Sequence, residues 1–366
     1  MKSLRLFHSE FFVATALVGL KSINHIGLTF LGIGFLSNII LFILMVPNVI
    51  YLAKVDLYFG YFKFIATFFC VYFFGYLFGV ESQKEAFFDI MPMIILSVFS
   101  YIKLTQAKDF NLSEFSFFIL LYSLIYTFWT LQLGSQFDRL EMGELLGFSP
   151  IFISRLGALL FLLSFYCLNR KSFKFLGFVI SIYLLQYGAS RGPVLFMFLI
   201  FLFQLIRQEK AHKVLFIASI GSLGLYVFFQ GFDESLLLER FRDLFQSGLQ
   251  STTRYSRVVI FFKSWDSFLP FGLGSLGWGR LIWDRLDTSY SHNLFIDLII
   301  EFGLFGLFLS LNIISKIKNR IKSSPHSLFI VFTILYTLTS GSFMTNVEFW
   351  IVLSVLYTNN KYVISR

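Results

Sequence analysis

Apolar runs of roughly the ~20 residues needed to cross a hydrocarbon core follow one another along the whole chain, separated by short polar breaks. Counting them predicts about twelve membrane spans, at 7–22, 28–51, 57–79, 86–104, 115–133, 150–168, 173–189, 192–206, 213–231, 291–314, 327–341 and 343–358. The interruption between the first two, Lys21 to His25, is weak. The pairs 173–189/192–206 and 327–341/343–358 are short and fit tilted or re-entrant helices as well as simple spans. The expected fold is an all-α integral membrane protein, read as a single polytopic domain over 1–366, with a long loop at 232–290 between the ninth and tenth spans.

That loop carries a helical pattern of its own. In 233–249, Leu237, Phe241, Leu244, Phe245 and Leu249 share one face. Ser251 to Thr253 can cap a second helix bearing Arg254 and Arg257 and ending near Trp265. Two amphipathic helices lying on the membrane surface, or packed as a lid on the bundle, explain both patterns.

Composition agrees with the hydropathy pattern. The chain is 57% hydrophobic and 14% charged, with a mean hydropathy of +0.75, which excludes a soluble domain of this size. The 52 Phe need no site to explain them, because in lipid Phe serves both as packing and as lipid-facing surface. The net charge of +9 does not call for nucleic acid here, since most basic residues sit in short loops. The basic loops at 169–174, 207–213 and 316–322, with both chain ends, fall on one side of a twelve-span topology. That side is the cytoplasm, with Lys21 as the clear exception. The loops at 80–85, 134–149 and 232–290 then face outward; the last is neutral, with seven basic and seven acidic residues. Cys70 and Cys167 lie in apolar runs at different depths, so no disulfide is expected.

Candidate chemistry gathers on the outward side. Arg155 lies in the first turns of the sixth span, after the helix-start pair Ser149-Pro150. Arg191 sits in the turn YGASRGP, Arg254 and Arg257 lie in the long loop, and His292 opens the tenth span. Arginine stays charged and presents a planar fork that fits phosphate. Near the outer ends of spans, such residues are at the depth of a lipid-linked diphosphate, and a histidine there can take the proton of an attacking sugar hydroxyl. This chemistry needs no redox cofactor and no nucleotide. Plainer roles exist for each residue: snorkelling anchors for the arginines, a helix cap or interfacial residue for His292, and a buried structural carboxylate for Glu301. Glu301 follows His292 by nine residues, about half a turn out of phase, so a direct bond between them is not expected. Glu301 is assigned to helix packing or span-to-span pairing, and Asn293 to orienting His292. The glycine-rich GLGSLGWG at 272–279 lacks a preceding strand and faces outward, so it is read as a flexible turn and not as a nucleotide loop.

The stretch from Arg257 to Gly306 resembles the signature region of the O-antigen ligase/polymerase superfamily. The residues that carry the resemblance are Arg257 with an aromatic-rich helix, Pro270, Gly272 with Gly274, His292-Asn293, and Glu301 followed by Gly303 and Gly306. Phe261 stands where many relatives have Trp. SPIFISR (149–155) and GASRGP (188–193) resemble segments upstream of the family's long loop. The resemblance implies glycan transfer from undecaprenyl diphosphate on the periplasmic face of the bacterial inner membrane. In that reading Arg191 and Arg257 hold the diphosphate, with Arg155 and Arg254 as weaker transfers, and His292 activates the acceptor hydroxyl. Implied partners are the lipid-linked glycan donor and acceptor, membrane lipids and a chain-length regulator protein. Polymerisation of lipid-linked repeat units is the leading function, and ligation of the finished chain to lipid A-core is the alternative. A transporter would need a polar path through the bilayer, for which Lys63, Asp297 and Glu301 are too few.

Overall fold

The computed structural model describes residues 9–15, 59–78, 81–106, 111–133, 150–188, 190–207, 253–283, 291, 293–323, 327–337 and 347–358. Among these every regular element is a helix: α1 (Ser9–Ala14), α2 (Phe59–Phe78), α3 (Glu81–Gln106), α4 (Leu112–Leu133), α5 (Pro150–Tyr166), α6 (Lys171–Gly188), α7 (Arg191–Arg207), α8 (Thr253–Lys263), α9 (Trp265–Phe268), α10 (Gly277–Trp283), α11 (Leu294–Phe302), α12 (Leu304–Ser323), α13 (Ser327–Thr337) and α14 (Val347–Tyr357). The expected spans at 28–51 and 213–231, most of 7–22, and the amphipathic segment 233–249 lie outside the described residues.

Among the described residues, α2, α3 and α4 hold apolar stretches of 19, 21 and 20 residues, long enough to cross a membrane. Phe62, Phe74, Phe78, Phe88 and Phe128 are exposed on them. In water such faces would aggregate, whereas in hydrocarbon they are ordinary surface. Hydroxyls on α4 bond back to its own carbonyls: Ser116 to Leu112, Ser123 to Ile119, Thr127 to Ser123 and Thr130 to Tyr126. Their polarity is consumed inside the helix, so they do not oppose its insertion. At 11 residues each, α13 and α14 rise only about 16 Å.

Contacts divide the chain into two compact units. The first holds α1–α3 and α8–α14; the second holds α4–α7. In the first unit, α2, α3 and α14 are joined by buried hydroxyls. Tyr61 Oη lies 2.8 Å from Ser97 Oγ, and Ser97 Oγ lies 3.1 Å from Ser354 Oγ and donates to the carbonyl of Trp350. Tyr61 also stacks on Tyr101, with ring centroids 4.4 Å apart. Small hydroxyl residues let the helices approach closely, and the bonds hold them there. In the second unit, α5 and α6 form an antiparallel pair, with Phe161 packed on Phe178 of α6 and on Phe201 of α7.

The tenth span is not one helix. Counting hydropathy predicts an unbroken run at 291–314, yet α11 ends at Phe302 and α12 begins at Leu304. Gly303, at φ 62° and ψ −136°, turns the chain between them. The turn withdraws the amides that a continuous helix would give to the carbonyls of Ile300 and Glu301. Leu273 N and Gly274 N take their place, at 2.8 and 3.0 Å, and Leu304 N donates to Pro270 O at 2.8 Å. The glycine-rich segment is therefore pinned against the break, which corrects the expectation of a flexible turn. A Cβ on Gly272 would collide with Glu301 O, one on Gly303 with Pro270 O, and one on Gly306 with Leu298 O.

Candidate functional site

The site residues of the first unit are organised by α11. Asn293 caps it, with Oδ1 accepting from Phe295 N at 3.1 Å and Ile296 N at 3.3 Å. This bonds amides that the first turn would leave without partners. Just ahead, Ser291 Oγ donates to Asn293 O at 2.8 Å and accepts from Asn293 N at 3.0 Å. Ser291 N donates to Asp297 Oδ1 at 2.8 Å. The backbone is thus fixed on both sides of position 292. His292 itself, the expected base, lies outside the described residues.

One turn after Asp297, the Glu301 side chain is buried. Its Oε2 accepts from Tyr72 Oη of α2 at 2.8 Å, and the backbone amides of Leu276 and Gly277 also bond to its carboxylate. Glu301 therefore joins three segments: its own helix, α2 and the start of α10. Nearby, Ser275 is buried and accepts from Gln83 Nε2 at 3.2 Å. This contact brings together two stretches that the expected topology puts on one side of the membrane, the start of α3 and the glycine-rich segment.

Arg257, on α8, is half-buried. Four residues on, Phe261 packs with Ile260 against the cluster of Phe268, Trp278, Ile296 and Ile300, so the face of α8 that carries Arg257 is turned towards α11. The positive charge of Arg257 acts on the Asp297 carboxylate. Arg254 begins the same helix, but its side chain lies outside the described residues.

The second unit holds the other two arginines. Ser154 Oγ, fully buried, accepts from Ser190 N at 3.0 Å and lies 3.5 Å from the carbonyl of Leu185. Ser154 precedes Arg155 and Ser190 precedes Arg191, so this bond ties the two arginine-bearing segments to one end of the α5–α6 pair. Arg155 is half-buried, with its guanidinium 6.0 Å from the Phe152 ring centroid. Arg191 opens α7, and its side chain lies outside the described residues.

Tyr72, Ser154 and Asp297 belong to this arrangement without a role legible in the sequence. Tyr72 sits in an aromatic-rich run where nothing marks one Tyr among its neighbours. Ser154 is an ordinary small residue of a span. Asp297 was conspicuous as a charge in an apolar run, and its neighbours supply the reason for it.

The family model described as O-Antigen ligase matches residues 176–311, from within α6 into α12. No curated protein matches the chain. The matched stretch contains the motifs and supports the superfamily resemblance they carry, and among the described residues three helices are long and apolar enough to cross a membrane.

Proposed function

We propose that this chain, with its O-antigen ligase segment at residues 176–311, is a polymerase of undecaprenyl-diphosphate-linked oligosaccharide repeat units. It works in the bacterial inner membrane with the transfer site facing the periplasm. Arg191 and Arg257 hold the donor diphosphate by bidentate bonds, assisted by Arg155 and Arg254. His292 takes the proton from the acceptor sugar hydroxyl as that oxygen attacks the anomeric carbon and the lipid diphosphate leaves. A positioned base of this kind contributes about 10²–10⁴-fold. No metal or cofactor enters the scheme.

The observation that carries this reading is the clamp around position 292. Ser291, Asn293 and Asp297 make five hydrogen bonds that fix the backbone before α11 and in its first turn. Such local order is what a proton acceptor needs if it is to meet a substrate atom within hydrogen-bond reach. The description of the matched family, O-Antigen ligase, favours a second reading, ligation of the completed glycan to an acceptor lipid, which uses the same donor chemistry.

The test is extension of lipid-linked repeat units by purified protein between pH 5.5 and 8.5. His292→Ala should leave single units unextended. His292→Gln should not restore the rate, because Gln cannot take a proton. A Gln variant running at the wild-type rate across that range would refute the assignment of His292 as base. Transfer to lipid A-core without growth of lipid-linked chains would establish the ligase instead.

A further inference from the structure

We propose that Asp297 is a positioning residue of the transfer reaction, tying the backbone at Ser291, which precedes position 292, to the helix that carries Arg257. This rests on the donor-binding role proposed above for Arg257. Asp297 is 2% exposed, in the first turn of α11. Its Oδ1 accepts from Ser291 N, and among the described residues its Oδ2 has no hydrogen-bond partner. A buried carboxylate whose hydrogen-bonding neighbour is Ser291 alone is sparsely compensated. It acts in turn on Glu301, a second acidic group one turn away. The opposing charge comes from Arg257, on the face of α8 that packs towards α11 through Phe261.

The choice of residue carries the argument. Asparagine would accept the Ser291 amide equally well and would escape most of the cost of burial. What only a carboxylate adds is charge, and Arg257 is the positive group that feels it. A nearby opposite charge favours some orientations of an arginine over others, so its fork meets the diphosphate with less to lose on binding. One side chain thereby relates the helix of the diphosphate contact to the backbone at Ser291.

Binding of undecaprenyl diphosphate to nanodisc-embedded protein, and extension of lipid-linked units, are measured separately for wild type, Asp297→Asn, Arg257→Lys and the double variant. Asp297→Asn keeps the amide acceptor, so insertion and melting should stay near wild type. Its Kd for undecaprenyl diphosphate should rise about tenfold, as for truncation of a buried charge pair. The double variant should bind no worse than Arg257→Lys alone, since the two residues act as a unit. An Asn variant binding within about twofold of wild type, or effects that multiply in the double variant, would overturn the inference. If Asp297→Asn fails to insert, Asp297→Glu replaces it; with charge kept, its Kd should stay within about threefold of wild type, and a rise of tenfold or more would overturn the inference. Failure of both to insert would make Asp297 a folding residue only and overturns it too. Wild type that binds the probe without extending chains would refute the polymerase reading and leave the binding comparison intact. Wild type that does not bind it would refute both.

Discussion

Tyr72 Oη donates to Glu301 Oε2 across 2.8 Å, joining α2 to α11 through a bond between two buried side chains. Their positions are 229 residues apart in sequence. Because Glu301 also meets the amides of Leu276 and Gly277, the tyrosine is one of three donors holding one carboxylate. Tyr72→Phe should therefore cost about 1–3 kcal/mol, the penalty for leaving a buried acceptor without its partner. Thermal unfolding in detergent checks this. In the Glu301→Ala background the same substitution should cost less, because no acceptor is left to lose its partner.

The interlock at the broken helix separates two glycines of the same motif. Gly272, at φ 81°, has backbone on the side where a Cβ would stand, whereas Gly274, at φ 77°, has nothing within 4 Å. Gly274→Ala should cost about 1–2 kcal/mol for the left-handed backbone, and the protein should still purify. Gly272→Ala adds collision with the Glu301 carbonyl and should abolish the monodisperse fraction. Size-exclusion profiles of the two variants, side by side, are the measurement.

Asn293→Ala removes the cap of α11 and should cost about 0.5–2 kcal/mol. Asn293→Asp keeps an acceptor oxygen at the same place and should retain stability. Melting of both variants distinguishes the cap from any contribution of the amide group to the reaction: an Asp variant that is stable but slow would locate the extra role in the side-chain NH₂.

Arg191→Lys and Arg257→Lys keep the charge and lose the fork. Each should lower donor use sharply, by about tenfold or more, while insertion is unchanged. Normal polymer from both variants would reduce them to membrane anchors.

Orientation is open to cysteine labelling. Asp266 and Lys318 are both exposed. A reagent confined to the periplasmic side should label Asp266→Cys and spare Lys318→Cys; the reverse pattern would invert the topology and remove the proposed chemistry with it.

Run length alone located α2 to α7 closely, because a helix in hydrocarbon has little choice but to begin and end where apolarity does. The start signal at Pro150 is the first residue of α5, and α8 covers the expected second surface helix. What hydropathy missed was the break at Gly303. Leu304 and Phe305 are as apolar as their neighbours, and the break exists because the amides of a distant loop take over the carbonyls it frees. The motif glycines marked the place without revealing the partner. Tyr72 was hidden for a similar reason: its importance comes from Glu301, which no local window contains. Arginines and the histidine could be shortlisted because charge near a membrane is conspicuous, but the hydroxyls of Ser154 and Ser291 that hold their segments look like any other serine.

The three backbone bonds between 270–274 and 300–304 close the intervening chain into a loop with fixed ends. Whatever the segment 284–290 contains, it leaves from α10 and returns to Ser291 at positions set by that closure. Substitutions there leave the three bonds, and the ends they fix, in place. The interlock thus acts as a frame that can take a changed insert without rebuilding the helices on either side.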